Sequence, residues 1–168
     1  MTVRRFLLGA VVLLAAQLLQ GTLVNRLPLP GGGPDLLLLA VVAFALAEGP
    51  RSGAVTGFVA GLLADLSADA ELGRTALVLT LVGYLAGLAA DDAERSRVVP
   101  LVVVALAAAG AVSLYAAEGL LLGDPRITGE AWRRALVSTV PYSVALTPLV
   151  VPAVGALVRR ADLDLLRR

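Results

Sequence analysis

Of the 168 residues, 58% are hydrophobic and only 16% charged, well below the roughly 25% charge usual in soluble domains, and mean hydropathy is +0.87. A net charge of +1 gives no field suited to nucleic acid. With no Cys and no His, disulfides, thiolate or imidazole metal sites and His-based acid–base chemistry are excluded, and no nucleotide loop or metal cluster suggests a cofactor. All fourteen basic residues are Arg, as in chains from GC-rich bacterial genomes.

Six apolar runs approach the length needed to cross a bilayer, about 20 residues each at a rise of about 1.5 Å. The first, 6–24, follows Arg4 and Arg5. It has the charged start of a secretory signal but no small-residue cleavage site before a polar region, so it is expected to remain as an anchor. Residues 28–34, with Pro28, Pro30, three glycines and Pro34, then break the chain before Asp35 and a second run, 36–47.

Glu48, Gly49, Pro50 and Arg51 form the next break, before the third run, 52–66. The second and third runs are short and could instead form a re-entrant hairpin; either way the pair enters and leaves on the same side. Within the third, Gly53, Gly57, Gly61 and Asp65 recur every four residues, and in the fourth, 75–90, Gly83, Gly87 and Asp91 do the same. Four-residue spacing places them on one helix face, where absent side chains allow close backbone approach. Such a face either packs the bundle internally or docks a partner helix.

Charges at Asp91, Asp92, Glu94, Arg95 and Arg97 are expected to mark a loop before the fifth run, 98–122. A second charged loop is expected from Asp124 through Arg126, Glu130, Arg133 and Arg134, ahead of the sixth run, 135–158. That run holds Pro141, Pro148 and Pro152 among Ser138, Thr139, Ser143 and Thr147, so hydroxyls could satisfy carbonyls freed by proline in a kinked helix. Trp132 reads as an interface anchor. Asp65 and Glu118 are ionisable groups within apolar runs, expected to snorkel to the interface or to pair with Arg74, Arg126 or Arg133. No chain of such groups crosses the membrane as an ion relay would need.

Lacking the alternation of barrel strands, the chain is expected to be all-α: one transmembrane domain over 1–168, a polytopic bundle of six helices. With the N-terminus inside, Arg4, Arg5, Arg51, Arg95, Arg97, Arg159, Arg160, Arg167 and Arg168 fall in the cytoplasm, against Arg26, Arg74, Arg126, Arg133 and Arg134 outside. The positive-inside rule then predicts both termini cytoplasmic.

Residues 34–87 resemble the MreD family of bacterial rod shape-determining proteins. The resemblance rests on Pro34 and Asp35 before a helix, Gly49 and Pro50 with Gly53, the Gly57, Gly61 and Asp65 series, Gly73 before the fourth run, and Gly83, Tyr84 and Gly87. It implies a non-catalytic subunit of the lateral peptidoglycan-synthesis machinery, the elongasome, in the bacterial cytoplasmic membrane. The implied partner is MreC, a single-span protein, with a RodA-type polymerase, a penicillin-binding transpeptidase and MreB filaments reached through it. The family also resembles the substrate-binding subunits of energy-coupling-factor vitamin transporters, with a six-helix plan. A transporter subunit would need a cavity with several convergent polar and aromatic groups, whereas here the polar inventory is thin and the Ala-xxx-Ala docking pattern is missing from the first run. A membrane serine protease would need a Gly-x-Ser-Gly motif and a His, and has neither.

Overall fold

The computed structural model describes residues 3–26, 32–67, 72–124 and 127–163. Residues 28–31 of the first break, Arg126, and the basic pair Arg167 and Arg168 lie outside them. Among the described residues there are seven α-helices and no strand: α1 (Val3–Thr22), α2 (Leu36–Glu48), α3 (Pro50–Ser67), α4 (Arg74–Gly87), α5 (Ala90–Arg95), α6 (Val99–Leu121) and α7 (Gly129–Leu163), with a 3₁₀ turn at Val24–Arg26. By length and composition, Val99–Leu121 and Gly129–Arg160 can each cross a membrane.

The sequence of α2 explains its place. It is apolar on every face, and a helix of that kind belongs inside a larger body. It is the axis of the bundle, touching every other helix, and all residues from Leu37 to Leu46 are buried. Its ends are closed locally. The Asp35 side chain accepts from the Leu38 N–H at 2.9 Å, and the Gln20 Oε1 of α1 accepts from the Leu36 N–H at 2.9 Å. At the other end the Gly49 N–H donates to the Ala45 carbonyl at 2.8 Å. Gly49 has φ 89°, which strongly favours a residue without Cβ, and Pro50 then opens α3 at the position that needs no N–H.

Two expected loops are helical over part of their length. The cluster at Asp91 and Asp92 forms α5, with its acids in the first turn and Arg95 in the last, the arrangement a helix dipole favours. Glu130, Arg133 and Arg134 lie in the first turns of α7, because the Thr128 hydroxyl accepts from the Ala131 N–H at 3.1 Å and starts the helix early. The helix runs through all three prolines. Its hydroxyls do not serve the carbonyls that proline frees: Ser138 donates to the carbonyls of Arg134 (2.9 Å) and Ala135 (3.2 Å), and Thr147 to that of Ser143 (3.0 Å). Back-bonding to the preceding turn is the nearer option for a short side chain.

Candidate functional site: a glycine seam closed by a carboxylate

α3 and α4 make the most extensive helix pairing in the molecule. Their glycines set the register. Gly53 lies against the backbone of Gly83, Gly57 against Leu79 and Thr80, Gly61 against Thr75 and Ala76, and Gly87 against Gly49 and Pro50. A β-carbon at Gly57 would sit 2.6 Å from the Leu79 carbonyl carbon, one at Gly61 2.5 Å from that of Thr75, and one at Gly87 2.5 Å from the Pro50 Cα. These are backbone atoms of a second helix and cannot rotate away. The two glycine faces are therefore turned toward one another inside the chain, with Ala45 and Val41 of α2 completing the pocket around Gly53 and Gly83.

Asp65 closes the seam at one end. It is 1% exposed, and its carboxylate accepts from the N–H groups of Gly73 (2.8 Å), Thr75 (3.1 Å) and Ala76 (3.3 Å). Gly73, at φ 99°, has no side chain with which to cap α4; the acid of the preceding helix supplies the cap. The first amides of a helix lack internal partners and carry partial positive charge, so this is a site where a buried carboxylate is held by dipoles. The partner of Asp65 is this backbone rather than an Arg. Arg74 turns the other way, with its Nε 3.3 Å from the Glu118 carboxylate and its Nη2 donating to the Tyr115 carbonyl at 2.8 Å, tying α4 to α6.

The remaining residues of the motif fall around this pair. Pro34 is buried and Asp35 caps α2. Tyr84, beside Gly83, points outward and is 45% exposed, so it is no part of the seam. Trp132, half exposed, donates its indole N–H to the Ser113 hydroxyl at 3.3 Å and links α7 to α6. Sequence reading missed Gln20, the hydrogen-bond link from α1 to α2. Its signal was present, as an amide inside an apolar run must find a partner. Gln20, Asp35, Asp65, Arg74, Glu118 and Trp132 all sit at one end of the bundle, where α1, α3 and α6 finish and α2, α4 and α7 begin.

Helices meeting through bare backbone, beside two helices long and apolar enough to cross a membrane, fit a helical membrane protein. The family model for rod shape-determining protein MreD matches residues 2–159. The chain belongs to that family, and with it to the determination of rod cell shape. No curated protein and no solved structure matches it.

Proposed function

We propose that this chain is a non-catalytic scaffold of lateral peptidoglycan synthesis, which holds an MreC-like single-span protein in the bacterial cytoplasmic membrane and so helps keep the cell rod-shaped. In this reading the chain is one domain whose six spans are α1, α2, α3, α4, α6 and α7. The charged helix α5 lies outside the hydrocarbon, and both termini are cytoplasmic. Five spans packed around α2, six in all, also suit the plan of the energy-coupling-factor substrate subunits. A RodA-type polymerase and a penicillin-binding transpeptidase are reached through the partner.

One observation carries the scaffold role: Asp65, the buried carboxylate, has its oxygens engaged by three amides of the next helix. A group so held serves architecture rather than turnover. The glycines Gly53, Gly57, Gly61, Gly83 and Gly87 act with it as helix-packing positions, and the partner's helix docks on a face other than theirs. Affinity purification of the tagged chain from membranes in mild detergent tests this, and the MreC-like protein is expected in comparable amount. Recovery of a stoichiometric small solute without that protein would favour the transporter reading.

A further inference from the structure

The two sides of the bundle differ in height. Because the glycine seam fixes α3 against α4, both helices end at the same levels: Pro50 beside Gly87 at one end, Asp65 beside Gly73 at the other. Their outward apolar surface, from Val55 through Phe58 to Leu66 on α3 and from Leu77 through Leu85 to Leu88 on α4, is exposed. It is bounded by Arg51 and Asp91 at one level and ends at the Gly73 turn at the other. At about 1.5 Å per residue the apolar stretches 52–66 and 75–88 are about 20 Å tall. On the other side, 99–121 in α6 and 135–158 in α7 are about 35 Å tall by the same rise. A hydrocarbon core of about 30 Å suits the second side and exceeds the first by about 10 Å.

Three accommodations are restricted on the short side. Tilting lowers the belt further. Sliding one helix along the other would drive side chains into the places the glycines keep clear. Arg74 cannot reach outward to the headgroups while its guanidinium is engaged by Glu118 and the Tyr115 carbonyl. Lipid can adapt instead, at a cost of only fractions of a kcal/mol per Å of mismatch. Resting on the six-span reading above, we propose that the α3–α4 side is a lipid-facing surface that draws the bilayer down to about 20 Å of hydrocarbon, so that the chain imposes a step in membrane thickness around its perimeter. Its occupant is phospholipid with short or disordered acyl chains.

The chain has no Cys, so single substitutions Val55→Cys, Phe58→Cys, Leu62→Cys and Leu66→Cys can each carry one spin label in vesicles of roughly 18-carbon monounsaturated phosphatidylcholine. Collision with oxygen and with a water-soluble nickel chelate then gives label depth. The expected profile peaks about 10 Å below the interface, against about 15 Å for an undeformed bilayer. A peak at the greater depth overturns the thinning and leaves the six spans standing. Labels shielded from both reagents would show a protein covering the surface and overturn the lipid assignment; labels all open to nickel would overturn the six-span reading itself. The unlabelled protein gives a second measurement, with thermal stability expected to be highest in lipids of roughly 14-carbon chains. A maximum at the longest chains would count against the proposal.

Discussion

The Asp65 carboxylate, at the end of α3, accepts the N–H of Gly73 at 2.8 Å and so caps a helix to which it does not belong. Two further amides of α4 complete the cap. Removing it in Asp65→Ala takes the acceptor from one buried and two partly buried N–H groups, for a loss of about 3 kcal/mol. Asp65→Asn keeps one acceptor oxygen but aims an amide donor at other donors, and is expected to fall between Ala and the parent. Circular dichroism melts in mild detergent would rank the three. An Ala variant as stable as the parent would remove the cap from the account.

The seam makes an equally definite demand. Gly57→Leu and Gly61→Leu place side chains where the backbone of α4 already lies, and forced overpacking costs about 1–3 kcal/mol even where side chains can yield. Both variants are expected to lose expression and thermal stability, together with any partner that needs the folded bundle. Phe58→Leu is the control, since Phe58 is 53% exposed. Val59 serves less well, being partly buried against the core. Normal folding of both glycine variants would mean that α3 and α4 do not meet here.

Much of this was legible in the sequence because membrane packing is written in local signals. The four-residue glycine period and the Gly49–Pro50 break each follow from short-range geometry, and the structure puts them at helix faces and helix ends. Two things were not legible. Spacing says that a glycine face seeks a backbone but not whose, and here the two faces, one on α3 and one on α4, meet each other. Likewise the charge of Asp65 called for a cation by ordinary pairing logic. Only the αL turn at Gly73 brings the first amides of α4 within reach instead. The charged stretches read as loops because polarity was taken for irregularity, whereas α5 and the start of α7 are helical with their charges turned to the surface.

Arg74 and Glu118 join α4 to α6 at 3.3 Å, with about a quarter of each side chain exposed. Partial exposure limits the coupling to about 1 kcal/mol in a double-mutant cycle of Arg74→Ala and Glu118→Ala. Arg74→Ala alone is expected to cost more than Glu118→Ala alone, as it also leaves the Tyr115 carbonyl without its donor. Melts of both single variants and the double variant give the cycle. Equal single effects with no coupling would show that the contact does not hold the helices.

The placement of charge also predicts orientation. Arg51 at the start of α3, Arg95 in α5, and Arg159 and Arg160 near the end of α7 share one end of the bundle, and the Asp65, Arg74 and Glu118 group lies at the other. Arg excess near helix ends keeps a segment on the cytoplasmic side, so the end bearing α5, the start of α1 and the end of α7 is expected to face the cytoplasm. The Arg133 and Arg134 pair opposes this. However, these side chains are exposed, and long Arg side chains near a helix start can snorkel to the far interface. A fluorescent protein fused after Arg168 should therefore glow and alkaline phosphatase at the same place should be silent. A phosphatase inserted after Gly123, in the turn that follows α6, should be active. The reverse pattern at both sites would invert the bundle and put the capped end of α4 in the cytoplasm.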